Sequence, residues 1–526
     1  MALPVMPFLR LVRAGFVMAR EGVFGLVSLP DLPAGPRFAL ALARLLERRA
    51  VRNKSAELRL SDALNKLGPS YVKLGQFLAT RADVVGKDAA RELASLQDRL
   101  PAFDHDEARA TIAEQLDRPV DEIFSEFGEA VAAASIAQVH PALVRDKDGG
   151  ERKVAVKVLR PGVARRFQRD LQSYYLVARL AERFHPPSRR LRPVAVVDTL
   201  AQSVAIEMDF RLEAAALSEM GENITGDPGF RVPAVDWLRT SKGVLTMEWI
   251  EGRKMSDVDG LAADGHDLEA LGDAVIQSFL RHTLRDGFFH ADMHQGNLFV
   301  EPDGTLVAVD FGITGRLTVR ERRFLAEILF GFITRNYKRV AEVHFEAGYV
   351  PADQDVDMFA QAIRAIGEPI HGHDASEISM ARLLTQLFEV TELFDMRTQT
   401  RLIMLQKTMV VVEGVARSLN PNLDMWRTAE PVVGSWIRDN LGPAGKLRDA
   451  GDALGALARI ANDLPFFADR IGRMSEELEK MTMSGLRFDA QTAEAIGRAE
   501  ARHSRSGRVA LWVIAACAVV SLYLFA

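Results

Sequence analysis

Apolar residues recur at every third or fourth position through "SAELRLSDALNKLGPSYVKLGQFLATRADV" and again through "AARELASLQDRL". That spacing follows the turn of a helix and predicts a mostly helical segment over residues 37–128, punctuated at Pro69 and closed at Pro101. From Val131 the texture changes. "KVAVKVLRPG" alternates apolar with polar residues and ends in Pro161-Gly162, the mark of a strand running into a turn. Helical spacing returns over 163–221. "GFRVPAVDWLRTSKGVLTMEWIEGRK" then predicts two short strands joined around Ser241-Lys242-Gly243. A further strand pair lies in "NLFVEPDGTLVAVDFG", with Asp303-Gly304 as its hairpin turn. Beyond about residue 320 the pattern is helical. The plan is a helical head, a small sheet with helices inserted, a hairpin at a cleft and a large helical body.

The two ends differ from this middle. "VALWVIAACAVVSLYLFA", residues 509–526, carries no charge, and as a helix it would reach roughly 27 Å, the depth of a bilayer core. Arg498, Arg502, Arg505 and Arg508 precede it, which predicts a tail anchor with the rest of the chain on the cytoplasmic side. At the other end, Arg10, Arg13, Arg20 and Glu21 interrupt the apolar run and exclude a spanning helix. The run suits a helix lying on a membrane surface, or one packed on a domain, equally well.

Composition narrows the function. At 526 residues the chain has room for two or more domains, and 48% hydrophobic with 26% charged residues is a globular balance. With 66 Lys and Arg against 71 Asp and Glu, the net charge of −5 offers no bulk attraction for nucleic acid. Cys517 is the sole cysteine, so there is no intrachain disulfide and no multi-cysteine metal site.

The candidate chemistry is concentrated in "FFHADMHQGNLFVEPDGTLVAVDFG", residues 288–312. Two readings compete for it. On a regular strand His290, Asp292 and His294 would share one face, a donor set that suits zinc or iron. The phosphoryl-transfer reading uses more of the residues. Asp292 precedes Asn297 by five positions and Asp310-Phe311-Gly312 follows across the hairpin, the layout of a kinase catalytic loop and its metal-binding triplet. In that chemistry Asp292 orients a nucleophile, and the oxygens of Asn297 and Asp310 hold magnesium against the phosphates of ATP. Upstream, "VAVKVLRPG" ends an alternating run on Lys157, as a phosphate-gripping lysine should. Its carboxylate partner comes from "DTLAQSVAIEMDFRLEAAALSEM": Asp209 and Glu213 are four apart on one helix face, so either suits. Met247, Glu248 and Ile250 in "VLTMEWIEG" suit the segment whose backbone receives an adenine ring. One part departs from ordinary kinases. Ala132, Ala134 and Ala137 of "AAASIAQV" stand where three glycines would close over the phosphates, and alanine disfavours positive φ, which predicts a stiffer loop from Ala132 and Ala133 through Ser135 and Ile136 to Val139.

These elements, in this order, resemble the UbiB-type atypical kinase-like family linked to ubiquinone biosynthesis. "AAASIAQVH" is similar to that family's replacement for the glycine-rich loop, "KLGQ" (Lys73 to Gln76) to its K-x-G-Q signature, "EMD" (Glu207 to Asp209) to its E-x-D motif, and "HADMHQGN" to its catalytic loop. The resemblance implies an α+β, bilobal, atypical protein-kinase-like fold. Its expected parts are an N-terminal segment (1–36), a helical extension (37–128), an N-lobe (129–252), a helical C-lobe (253–500) and a transmembrane tail (509–526). It also implies Glu213 as the partner of Lys157, and a regulatory K-x-G-Q helix whose Lys73 and Gln76 face Glu207 and Asp209. A regular helix sets Glu207 and Asp209 about 200° apart, so both reach one lysine only across a bend. The implied activity is magnesium-dependent ATP hydrolysis at the bacterial inner membrane, giving ubiquinone-biosynthesis enzymes access to polyprenyl quinone precursors in the lipid. A small-molecule or lipid kinase, and a nucleotide-binding scaffold without turnover, are the alternatives. The uncharged tail helix offers a route to a homodimer.

Overall fold

The computed structural model describes residues 5–26, 44–51, 56–79, 93, 101–146, 148–184, 189, 191–372, 390, 393–396 and 400–442. The tail expected to anchor the chain, residues 509–526, and most of "AARELASLQDRL" lie outside them. Among the described residues no helix is long and apolar enough to cross a membrane. The chain divides into two units, Met1–Ile437 and Arg438–Ala526.

The lysine strand Glu151–Leu159 lies between Ala137–Arg145 and Val244–Glu248 in an antiparallel sheet whose edge is Glu126–Phe127. Its alternation sorts the two faces. Val154, Val156 and Val158 point outward into a buried layer with Ile112, Ile123 and Phe124. Ala155, Lys157 and Leu159 therefore point the other way, toward the cleft. A slip of one residue would turn Lys157 out of the cleft and bury it among those valines. The outer layer comes from helices His105–Leu116 and Val120–Ile123, which sit on the N-terminal side of the expected division at 128/129 but pack on the sheet beyond it. The neighbouring strand Ala137–Arg145 is hidden from the hydropathy pattern because two of its buried positions on that same outer-layer face, Gln138 and His140, are polar. They are satisfied by each other at 2.9 Å and by Phe103 and Gly128.

Helical spacing over 163–221 resolves into three helices, Val163–Phe184, Pro193–Glu207 and Phe210–Asn223. The two strands expected around Ser241-Lys242-Gly243 meet only in a short antiparallel bridge, Val235 with Met247, flanked by the Asp236 N–H to Thr246 and Glu248 N–H to Ala234 bonds. The start of the segment, Phe230–Arg231, pairs with Leu306–Ala308, and the Phe230 ring is buried against His282, with ring centroids 4.7 Å apart. The Asp303-Gly304 turn closes as expected: Leu298–Val300 pairs antiparallel with Leu306–Ala308, and Gly304 has φ +87. Phe288–His290 pairs with Thr314–Arg316 just after it.

Behind the hairpin, Leu268–Arg281 packs against Thr400–Leu419 through Val275, Phe279, Leu405, Val412 and Ala416. The first helix runs into a π turn, His282–Asp286, that ends at Gly287, φ +67. A Cβ there would lie 2.6 Å from the Leu317 carbonyl, so both conformation and space demand glycine. Pro69 does not kink a helix: it opens the second of two, Ala56–Leu67 and Pro69–Ala79, where its missing N–H costs nothing.

Truncating Ile112 to alanine removes the centre of the outer layer and should cost about 2–5 kcal/mol, read as a lower denaturant midpoint. His282 is buried, and burial holds it down at about 4, below the ordinary 6.5. Its neutral form is favoured in the fold, so its contribution is complete above pH 6.5 and is lost as pH falls through 4. That contribution is on the order of 3 kcal/mol. His282→Gln should flatten the fall in unfolding midpoint across that range.

Candidate active site

The site is assembled around one buried ammonium. Lys157 Nζ lies 2.8 and 3.0 Å from the two carboxylate oxygens of Glu213 and 3.0 Å from Asp310 Oδ1. Glu213 reaches it from the first turn of Phe210–Asn223, a helix capped by the Asp209 side chain, which accepts from the Arg211 N–H. Of the two carboxylates that suited the lysine on spacing, Glu213 is therefore the partner and Asp209 is the cap. Burial alone would lower the Lys157 pKa, but Asp310 and Glu213 outweigh it and hold the amine well above its usual range. Burial pushes Glu213 up to about 7 against the pull of Lys157. The Asp310 side chain is half exposed; protein around it raises its pKa, and Lys157 outweighs that to leave it at about 2. Lys157 stays cationic, and Glu213 is the member that takes up a proton first. Asp310 has φ +61, a left-handed conformation tolerated by aspartate and costly for most other residues.

The bend required between Glu207 and Asp209 is present. Pro193–Glu207 ends at Glu207, Met208 breaks the helix, and Asp209 starts the next. Glu207 meets Lys73 of the K-x-G-Q helix at 2.5 Å, both side chains largely buried. Asp209 turns to Arg211 at 2.6 and 2.8 Å, so Lys73 faces one E-x-D carboxylate and not both. Gln76, one turn beyond Lys73, makes no hydrogen bond to either among the described residues. Tyr71 and Tyr174 fasten the same helix edge-to-face at 5.4 Å, beside a Ser70–Asp170 hydrogen bond.

The alanine loop lies down as a hairpin. Ala132 and Ala133 pair with Val139 and Gln138, and the Ala134 N–H donates to the Ala137 carbonyl at 2.8 Å, with Ser135 and Ile136 buried at the turn. The Arg160 guanidinium holds the Ala134 carbonyl at 3.2 Å. Val139 lies directly across from Lys157. At the far end of the sheet, Met247 is buried and the Glu248 N–H is taken by the Ala234 carbonyl at 2.8 Å. The Glu248 carboxylate is held by Arg231 at 2.9 Å, which removes it from any ligand. Ile250 follows with neither backbone group bonded among the described residues.

The catalytic-loop residues close on themselves. His290 donates from Nε2 to the Val309 carbonyl at 3.0 Å and accepts the Asp292 N–H at Nδ1, also at 3.0 Å. Both ring nitrogens are thus committed, burial keeps the ring neutral by lowering its pKa, and the metal-hydrolase reading loses its first ligand. His294 accepts the Gly296 N–H at Nδ1 and stands 3.8 Å from Asp292 Oδ2. Asn297 donates its amide N–H to the Asp292 carbonyl at 3.1 Å, which leaves its amide oxygen to accept. Its own carbonyl accepts from Val309, tying the loop to the residues that lead from strand Leu306–Ala308 into Asp310. One amide oxygen and the carboxylate of a half-exposed side chain form a hard, all-oxygen donor set, and that fits magnesium.

Sequence reasoning missed a buttress. The Thr408 hydroxyl shares its one proton between the Ala291 carbonyl at 3.0 Å and the Met404 carbonyl of its own helix at 2.9 Å, and Gln295 donates to Ser418 Oγ at 2.6 Å. Both anchors come from Thr400–Leu419, more than a hundred residues downstream. Only a fully buried threonine inside an apolar helix could have signalled it.

Residues 95–344 match the ABC1 atypical kinase-like domain, and residues 363–424 match the UbiB helical domain, which includes the buttressing helix. The chain is 38% identical over 463 residues to a Marinobacter nauticus protein named "Probable protein kinase UbiB", covering 87% of this chain and 83% of that one. It is 37% identical to an Aeromonas salmonicida protein of the same name, covering 98% and 93%. A solved Mycobacterium tuberculosis structure, a complex with erythromycin, is similar at 24% identity and a TM-score of 0.47, over 76% of this chain and 98% of that one.

Lys157→Met removes the pull that holds the Glu213 pKa down, so the carboxyl stays protonated to higher pH; the loss should reach about 3–5 kcal/mol of unfolding free energy only at alkaline pH, where Glu213 is charged and unpaired. Adding Glu213→Gln should recover most of it, and a double-mutant cycle reads the coupling. Thr408→Val leaves the Ala291 carbonyl without its donor; we expect a loss of about 1 kcal/mol and slower turnover at unchanged nucleotide affinity.

Proposed function

Since the chain belongs to the UbiB family of ABC1-type atypical kinase-like proteins, we propose that it binds ATP with magnesium and hydrolyses it in support of ubiquinone biosynthesis. The observation that carries this reading is the Lys157–Glu213 ion pair, the contact a phosphate-gripping lysine makes when its lobe is correctly assembled, with Asp310 Oδ1 3.0 Å from the same ammonium. In this reading Lys157 positions the phosphates, Asn297 and Asp310 hold magnesium, and Asp292, fixed through both its backbone groups, orients the attacking water. Bound magnesium supplies positive charge against the phosphate oxygens. Ala132 to Ala137 and Val139 form the roof over the nucleotide, and the backbone from Met247 to Ile250 receives the base, with the Glu248 N–H already used.

Lys73 and Glu207 act as a latch between the extension and the kinase-like unit, with Gln76 and Asp209 beside it. A latch of this kind favours water or a small acceptor over a protein substrate. The apolar run at 509–526 anchors the protein in the bacterial inner membrane, its kinase-like unit on the cytoplasmic side. ATP turnover there gives partner enzymes access to polyprenyl quinone precursors that do not leave the lipid. A paired tail helix would make the working form a homodimer.

The test is ATP turnover by the purified full chain with magnesium, with and without anionic vesicles and phenolic quinone-precursor analogues. Turnover should require magnesium and fall by ~10²-fold or more in Asp310→Asn. Background turnover in every condition would leave only a nucleotide-binding scaffold. Label moving from γ-labelled ATP onto extracted lipid would instead identify a lipid kinase.

A further inference from the structure

The N-terminal helix Val5–Arg20 packs against Val163–Phe184: Ser173 donates to the Pro7 carbonyl at 3.3 Å, and Arg10 donates to the Arg169 carbonyl. That contact uses the side bearing Pro7 and Ala14, both buried. The opposite side is different. Phe8, Leu9, Val12 and Phe16 are 47% to 54% exposed. At about 100° per residue these four cover roughly a quarter of the helix circumference, and Arg13 and Arg20 border them along one edge. Arg20 stands 5.7 Å from the centre of the Phe16 ring.

The neighbouring helix carries the same charge. Arg165, Arg169, Arg179 and Arg183 are exposed on it, together with Val177 and Phe184. Its two acidic residues face elsewhere. Asp170 is buried on Ser70, and Glu182 accepts the Val194 N–H at 3.1 Å. The first helix has no acidic residue at all. None of the six exposed arginines on the pair forms an ion pair among the described residues. A chain of net charge −5 thus carries exposed apolar residues edged with arginine on its first helix, and four further exposed arginines on the helix it packs against.

We propose that the exposed face of the N-terminal helix docks on an anionic lipid bilayer, with Phe8, Leu9, Val12 and Phe16 entering the headgroup boundary and Arg13 and Arg20 along its edge meeting lipid phosphates. An apolar stripe edged with arginine is the form that lies in a membrane interface, where burial of the stripe and attraction to anionic headgroups add. A second protein surface would need carboxylates opposite these arginines, and a second copy of this face would bring like charges together. The docked face adjoins the nucleotide cleft through the helix bearing Lys73, because Tyr174 and Asp170 of Val163–Phe184 hold Tyr71 and Ser70 of that helix.

The experiment uses the full chain with Cys517→Ser and one cysteine, at Val12 or at the exposed Asp121, carrying an environment-sensitive dye. The protein is reconstituted into vesicles of phosphatidylethanolamine with phosphatidylglycerol, or of phosphatidylcholine alone. With phosphatidylglycerol the dye at 12 should shift to the blue and be quenched several-fold by lipids with quenchers on their chains, while the dye at 121 stays unchanged. Arg13→Glu with Arg20→Glu should abolish most of that quenching. Equal signals at 12 and 121 would overturn the proposal. So would protection of position 12 in lipid-free oligomers, which would assign the face to a second copy. The reading is taken from dye position and not from turnover, so an inactive ATPase leaves it standing.

Discussion

A single cation buried between two carboxylates organises this molecule. Lys157 leaves water only because Glu213 and Asp310 arrive from opposite sides of the cleft, one on a helix that follows the lysine strand and one on the hairpin of the other sheet. Neither carboxylate would be held there without the lysine. Burial drives Glu213 toward its neutral form, and the ammonium opposes it. The interaction therefore fixes the register of the strand, the placement of the helix and the approach of the Asp310 turn together. It spans 153 residues of sequence and joins two separate sheets.

Around that pair the structure spends its polar groups on rigidity. The catalytic loop has almost no regular secondary structure, yet the Asp292 N–H and C=O, both His290 nitrogens and the Asn297 amide N–H are all bonded. Helix Thr400–Leu419 adds Thr408 and Ser418 from behind. A loop held from both ends and from below keeps the Asp292 carboxylate in one place while leaving it accessible. The alanine loop follows the same logic. Lacking glycine, it closes as a short bonded hairpin under Arg160 instead of arching freely.

The extension connects this interior to a surface. Lys73 sits on a helix whose other residues, Ser70 and Tyr71, are held by Asp170 and Tyr174 of the long helix Val163–Phe184. That long helix in turn carries the N-terminal helix on its back. A chain of direct side-chain contacts thus runs from an exposed apolar and basic face to a carboxylate at the cleft. Whatever binds that face bears on the helix that holds Glu207.

Much of the site was legible in the residues themselves, because short-range chemistry writes itself into spacing. The Asp292–Asn297 interval, the Asp303-Gly304 turn and the alternation ending on Lys157 depend only on neighbours within one strand or loop. The sequence by itself thus determined which residues gather at the cleft and the kind of chemistry they suit. Other features depend on what packs against what. Gln138 and His140 broke the apolar rhythm of a buried strand, since a polar residue satisfied by tertiary partners looks exposed in a hydropathy pattern. Phe230 joined the second sheet, where its ring is buried beside His282. The choice of Glu213 over Asp209 was open on spacing, as both lie on one helical face. Tertiary structure decided it by ending one helix at Glu207 and using Asp209 to cap the next. A cap is a backbone requirement at a helix end, and the position of that end is set by packing and not by periodicity.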